Sequence, residues 1–176
     1  MSVWTEDESE VVAVMVCYDT PNAGRHAKEM LDRLQVHFGN EIVFDVRLWR
    51  YDLIESPEAY EQARRDAAGA SLFAAAYAGS GSPQVGFKRL VANWASEHGT
   101  AGAALVALPA GPQINRSLVR TLRLAAEQHG VRFLFSGDSE HFPEELIGCS
   151  RPNGCAFHTR PGQDWSQDHD LPPAFN

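Results

Sequence analysis

The sequence predicts an α/β domain of three layers, in which helices cover both faces of a five-stranded parallel sheet. Short apolar runs rich in β-branched residues alternate with longer segments whose apolar residues recur at helical spacing. A regular strand–helix alternation is what crossover connections between parallel strands produce. The length of 176 residues is that of one domain.

Five segments have the apolar character of strands that are buried on both faces of a sheet. They are EVVAVMVCY (10–18), EIVFDVRLW (41–49), SLFAAAY (71–77), GAALVALPA (102–110) and VRFLFSG (131–137). The third is the least typical, because alanine is a poor strand former. Its position between two helical segments still favours a strand.

Four helices are expected between these strands, at about residues 25–38, 57–70, 85–98 and 115–129. The second has the clearest start, because Ser56 is a good N-cap and Pro57 fits the first helical position. Glycine follows three of the helices, as Gly39, Gly99 and Gly130. After the first helix, Gly39 suits the left-handed conformation that commonly ends a helix.

The alternation stops after residue 137. Residues 138–176 contain five of the ten prolines and no long apolar period, so we divide the chain into a domain (1–137) and an irregular C-terminal extension (138–176). A fifth helix normally covers the sheet beside the first helix. Because it is missing from the pattern, we expect the extension or a partner subunit to cover that surface, and we predict a homodimer in which the extension takes part.

Composition excludes several classes of partner. The net charge is -8 with only two lysines, so no basic stripe is available for nucleic acid. No apolar run approaches the roughly 18 residues of a membrane span, and the acidic N-terminus lacks the features of a signal peptide. The sequence therefore predicts a cytoplasmic protein that binds neither nucleic acid nor membrane.

The three cysteines predict neither a disulfide framework nor a metal site. Cys17 lies inside the first predicted strand, where a core thiol is expected. Cys149 and Cys155 occur with His158 in CSRPNGCAFH, whose spacing is not one of the compact zinc patterns. We therefore predict no bound metal.

Ligands of doubly wound sheets bind beyond the carboxyl ends of the strands, where the strand order reverses. Three predicted loops meet this description: Tyr18–Gly24, Tyr77–Val85 and Pro109–Asn115. The second combines glycine, serine and proline directly before an amphipathic helix. A ligand loop and a simple strand-to-helix turn, with Ser82 near the helix cap, both fit this composition.

The stretch AYAGSGSPQVGFKRLVANW (76–94), together with the order of elements from 10 to 137, resembles flavodoxins and the related NAD(P)H-dependent FMN reductases. That superfamily often carries an aromatic-small-small-Ser-x-Pro loop before a lysine-containing helix. The resemblance implies a flavodoxin-like fold that binds FMN for electron or hydride transfer. Tyr77 would then stack on or flank the flavin ring, while Gly79, Ser80 and Gly81 supply backbone hydrogen bonds.

Flavodoxins bind the FMN phosphate through a Ser/Thr-rich loop that leads into the first helix. Here that loop reads YDTPNAGRHA, in which Thr20, Asn22, Gly24 and Arg25 are the candidates for a small anionic ligand. The same loop carries the negative charge of Asp19, and Pro21 has no amide to donate. A degenerate or lost phosphate site is therefore an open alternative.

The competing hypothesis is a non-catalytic module, receiver-like or flavodoxin-like, for protein interaction or dimerisation. Response-regulator receivers share this order of elements, but they need a phosphorylatable aspartate at the end of the third strand. Here that strand ends in Tyr77-Ala78-Gly79. A working phosphoreceiver is thus disfavoured, whereas an interaction module on the same scaffold stays open, since fold does not imply function.

Overall fold

The computed structural model describes residues 10–39, 41–99 and 102–136. Its strands and helices alternate along the chain, so the predicted fold class is confirmed. The strands are β1 (Glu10–Tyr18), β2 (Ile42–Arg50), β3 (Leu72–Tyr77), β4 (Ala104–Pro109) and β5 (Arg132–Phe135). The helices are α1 (Pro21–His37), α2 (Pro57–Ala68), α3 (Val85–His98) and α4 (Arg116–His129), with a short 3-10 helix at Leu53–Glu55.

All five strands are parallel, and they lie in the order β2-β1-β3-β4-β5. The chain builds the sheet outward in one direction from β1 to β2 and then in the other from β3 to β5. The order therefore reverses between β1 and β3, as in flavodoxin-like doubly wound sheets. This reversal leaves a crevice at the carboxyl ends of those two strands.

The sheet separates two apolar cores. On one face α2, α3 and α4 pack over the sheet around Phe73, Phe87 and Trp94, which are almost fully buried. The indole of Trp94 donates a hydrogen bond to the carbonyl of Ala70 at 2.9 Å. On the other face α1 is the only helix within the described ranges, and the predicted extension (138–176) lies outside them.

The alanine-rich strand β3 is buried at every position. It lies at the centre of the sheet, so neighbouring strands satisfy both of its edges and helices cover both of its faces. Burial of this kind overrides the weak intrinsic preference of alanine for strands. The small side chains of Ala74, Ala75 and Ala76 also let the covering layers approach the sheet.

Helix α1 begins at Pro21, earlier than the predicted start near Arg25. Thr20 is the N-cap, and its Oγ1 accepts a hydrogen bond from the amide of Ala23 at 3.2 Å. A capping residue followed by proline is the signal that correctly located the start of α2, but here it lies within a turn-like composition, DTPNAG. The loop after β1 is consequently shorter than expected.

The 3-10 helix contacts the start of α3 so closely that residue 86 must be glycine. A Cβ atom at this position would lie 2.7 Å from the carbonyl oxygen of Ile54 and 2.7 Å from Oε1 of Glu55. We expect Gly86→Ala to lower the free energy of unfolding by about 1–3 kcal/mol, because backbone must move to relieve the overlap. Urea denaturation measures this change.

Gly69→Ala is the matched control, because a Cβ atom there meets nothing within 4 Å. Its free energy of unfolding should stay within about 0.5 kcal/mol of wild type. Equal stabilities of the two variants would contradict the close approach of the 3-10 helix to α3.

Candidate functional site

A cavity of about 180 Å³ lies at the reversal of the strand order. The ends of β1 and β2, the loop after β3 and the start of α4 all contribute to it. Its walls include Asp19, Tyr51, Asp52, Gly81, Asn115 and Leu118. The structure thus brings together the three loops that the sequence assigned to a ligand site.

Asp19 ties the end of β1 to the loop after β3. Its carboxylate accepts hydrogen bonds from the amide of Ala78, at 2.9 Å and 3.0 Å to its two oxygens, and from the amide of Gly79 at 2.7 Å. Two adjacent backbone N–H groups form a small anion-binding concavity. That concavity holds a carboxylate of the protein itself.

Asn115 holds the other side of the same loop, and it is the one polar residue among the described side chains that is buried. Its Nδ2 donates to the carbonyl of Gly79 at 3.0 Å and to that of Gly81 at 2.8 Å. Its Oδ1 caps α4 by accepting from the amide of Leu118 at 3.0 Å. One side chain therefore joins the β3 loop to the start of α4.

Tyr77, the predicted ring-stacking residue, has no exposed surface. Its ring belongs to the core between the sheet and α2–α4, and its hydroxyl is buried without a hydrogen-bond partner. Burial raises the pKa of this hydroxyl. The backbone amide of Asn115 lies near enough to oppose this shift in part, but not in the geometry of a hydrogen bond. In this conformation the ring presents no face to the cavity.

The four predicted phosphate residues lie at the start of α1, and the backbone amides of two of them, Thr20 and Asn22, are free. Gly24 donates to the carbonyl of Thr20 at 3.1 Å, and the hydroxyl of Thr20 is used by the cap. Pro21 has no N–H, so Asn22 is the only residue of positions 21–24 whose amide lacks a hydrogen bond. The Asn22 and Arg25 side chains are exposed.

Gly24 is also inaccessible to a ligand because the ring of Tyr18 covers it. A Cβ atom at this position would lie 3.0 Å from Cγ of Tyr18. Glycine is therefore required here by packing between β1 and α1. The observation gives the residue a structural role that the sequence pattern did not reveal.

The predicted flavin-loop residues Gly79, Ser80 and Gly81 are exposed at the rim of the cavity. The amide of Gly79 and the carbonyls of Gly79 and Gly81 are bonded to Asp19 and Asn115, as described above. Ser82 does not cap the following helix. The N-cap of α3 is Gln84, and Oε1 of Glu55 instead accepts from the amide of Gly86 at 2.7 Å.

The cavity is acidic. Asp19 and Asp52 contribute to its wall, and none of its lining residues within the described chain is Lys, Arg or His. Asp52 is paired with Arg50 at 2.5 Å, and the hydrogen bond from this guanidinium lowers the pKa of the Asp52 carboxyl. An anionic ligand in this cavity would meet the negative charges of Asp19 and Asp52 without a free cation in the lining.

Three residues that shape the site were not assigned to it from the sequence: Asp19 as a loop anchor, Glu55 and Asn115. An N-cap asparagine directly after a turn-rich segment is a recognisable signal for Asn115. The contacts of Asp19 and Glu55 reach 60 and 31 residues along the chain. No local pattern predicts such pairs.

The predictions about a metal site and the cysteines can be compared with the structure only where it describes the chain. Within the described ranges, no group of three or more His, Cys, Asp or Glu side chains could hold a metal ion. Cys149, Cys155 and His158 lie outside those ranges. Cys17 is fully buried, and burial raises the pKa of its thiol, which disfavours a reactive thiolate.

None of the described helices combines the length and the hydropathy that crossing a membrane requires. No family model, curated protein or solved structure matches this chain. The class of the protein, α/β with a parallel five-stranded sheet, therefore rests on its topology. Kinship with flavodoxins stays a prediction.

Removal of the Asn115 side chain tests its double role. We expect Asn115→Ala to cost about 2–4 kcal/mol of unfolding free energy, because a helix cap is lost and two loop carbonyls lose their donor. The matched control is Ser56→Ala, which removes only the cap of α2 and should cost about 1 kcal/mol. Similar losses for both variants would show that the loop contacts add nothing.

The unpartnered hydroxyl of Tyr77 gives a second prediction. Tyr77→Phe should leave the free energy of unfolding unchanged or raise it, because a buried polar group without a partner is removed. Tyr51→Phe is the control in the same core. It loses a hydrogen bond of 3.2 Å to the carbonyl of Ala76 and should cost about 1 kcal/mol. A larger loss for Tyr77→Phe would reveal a partner for its hydroxyl.

Proposed function

We propose that this chain is a non-catalytic flavodoxin-like module that acts by binding protein, and not a flavin enzyme. One observation carries the proposal: the protein's own side chains occupy backbone amides at the ligand-binding edge. Asp19 binds the amides of Ala78 and Gly79, and Glu55 binds the amide of Gly86 at the start of α3. Membership in the flavodoxin superfamily is part of this proposal.

The start of α1 offers few donors for the phosphate of FMN. A phosphate is held by free backbone N–H groups and by the positive end of a helix. Here the amides of Thr20 and Asn22 are free, whereas Pro21 has none and those of Ala23 and Gly24 are bonded to Thr20. The exposed Arg25 is the one cation within that turn, and Asp19 lies next to Thr20 in the same loop.

The flavin ring also lacks a surface in this cleft. The volume of the cavity, about 180 Å³, is below the roughly 300–1,000 Å³ of typical small-molecule sites. Tyr77 is buried, so stacking on its ring would require the side chain to leave the core. These two features favour a cleft that is closed by its own hydrogen bonds.

Binding of FMN, with electron or hydride transfer, is the second candidate. The position of the cavity at the strand-order reversal favours it, because ligands of this fold class bind there. Gly79, Ser80 and Gly81 line or adjoin that position as exposed backbone. For this function Asp19 would have to release the two amides that it holds.

A titration of FMN fluorescence, together with the visible spectrum of the purified protein, separates the two functions. We expect no flavin band near 450 nm and no saturation of quenching up to about 100 μM FMN. The same result is expected for Asp19→Asn, which removes one negative charge from the cleft. A flavodoxin titrated in parallel establishes that the assay detects binding.

A bound yellow chromophore or a dissociation constant in the micromolar range would overturn the proposed module. Binding that appears only in Asp19→Asn would locate the obstacle to flavin in the charge of Asp19. It would also show that the size and shape of the cavity do not exclude FMN.

A further inference from the structure

Within the part of the chain that the structure describes, the strand β2 forms a long unpaired edge of the sheet. It has nine residues, Ile42–Arg50, whereas the opposite edge strand β5 has only four. β2 contains neither proline nor glycine, and its register with β1 runs through nine consecutive pairs without a bulge. Proteins usually protect a free edge by such interruptions, because an open edge recruits another strand.

The backbone of β2 presents its even-numbered residues to this edge. The amide of Tyr51 donates to Tyr18, and the carbonyl of Glu41 accepts from Glu10, so odd-numbered positions face β1. The amide of Phe44 points the other way and donates to Oε1 of Gln35 at 3.4 Å. The backbone N–H and C=O groups of Phe44, Val46 and Leu48 are thus directed outward. The side chain of Gln35 covers one of them, the N–H of Phe44.

The side chains of β2 have a two-fold pattern about its central residue, Val46. Asp45 and Arg47 flank this residue on one face, and their side chains are 49% and 57% exposed. On the opposite face Phe44 and Leu48 flank it, and Leu48 is 44% exposed. An acid and a base are therefore equidistant from the centre of the strand.

We propose that two copies of this chain pair through β2, antiparallel about a two-fold axis at Val46, to form one continuous ten-stranded sheet. The inference names the partner for the interaction module proposed above and rests on that function. The sequence places a homodimer at the sheet surface beside the first helix, whereas this pairing uses the edge strand β2.

The backbone hydrogen bonds fit this axis. Residues directly opposite each other then have numbers that sum to 92, so Phe44 faces Leu48 of the second copy and Val46 faces Val46. Each of these residues directs its N–H and C=O outward, as a hydrogen-bonded antiparallel pair requires. All nine residues of the strand find a partner in this register.

The charges select the same register. With the axis at Val46, Asp45 of each copy faces Arg47 of the other in a close, non-hydrogen-bonded position. An axis at residue 45 would place Asp45 against Asp45, and an axis at residue 47 would place Arg47 against Arg47. Like charges directly opposite are destabilising. Only the register with its axis at Val46 places each Asp45 opposite an Arg47 and also pairs all nine residues of the strand.

Pairing replaces two contacts of the single chain. Arg47 and Asp45 form an exposed ion pair of 3.1 Å within β2, which contributes little to stability in water. The hydrogen bond from Phe44 to Gln35 is long and would give way to one across the axis. Both contacts are weak enough to be exchanged for those of a second strand.

Charge exchange at these two positions provides the test, by light scattering coupled to size-exclusion chromatography. Wild type should be a dimer at about 50 μM. Asp45→Arg places Arg against Arg, and Arg47→Asp places Asp against Asp, so each variant alone should have a dimer dissociation constant raised at least tenfold. An equimolar mixture of the two should form a heterodimer, and the double variant D45R/R47D should dimerise again.

Arg120→Asp is the control for Arg47→Asp. It makes the same change of charge at an exposed position of α4, next to the other edge of the sheet. It should remain dimeric, and circular dichroism should give the same spectrum for all variants. Monomeric wild type at 100 μM overturns the pairing. So does dimerisation of both single variants, or a mixture that stays monomeric.

The flavin titration keeps this inference distinguishable from the proposed function. Monomeric wild type that ignores FMN overturns self-pairing and leaves the interaction module in place. Saturable FMN binding overturns the proposed function whatever the oligomeric state is. A wild-type dimer that ignores FMN, with the heterodimer of the charge variants, supports both.

Discussion

The hydrogen bonds from Ala78 and Gly79 to the carboxylate of Asp19 fix the geometry of the whole crevice. They join the end of β1 to the loop after β3, where the sheet changes direction. Asn115 then fastens the far side of that loop to α4. With both sides held, the loop cannot wrap around a ligand unless a charged hydrogen bond is broken, and such bonds are among the stronger ones in proteins.

The fold could be predicted from the sequence because its determinants are local. Apolar runs, helical periodicity, and glycine at Gly39 and Gly130 with positive φ mark elements that the structure contains. The start of α1 was misplaced because Thr20-Pro21 stands inside a turn-like composition. The alanine-rich β3 was recognisable mainly from its place in the alternation, since its burial comes from neighbours on every side.

The candidate site was less accessible to sequence reasoning. Position alone predicted that the three loops meet at one cavity, because the topology brings them together. The roles within them were not predictable. Whether Tyr77 turns into the core or toward solvent depends on α3 and α4, and whether Gly24 serves a ligand or the ring of Tyr18 depends on how α1 packs. Both are decided by contacts between elements that are distant in sequence.

The division of the apolar residues into two cores has a consequence for how this chain can change over evolutionary time. Ala74 and Ala76 of β3 belong to one core and Ala75 to the other, with the backbone of the sheet between them. Substitutions that share no partners have nearly additive effects. Substitutions on one face of the sheet can therefore accumulate independently of those on the other. Apolar side chains on the α1 face could thus be exchanged without disturbing the aromatic packing beneath α3.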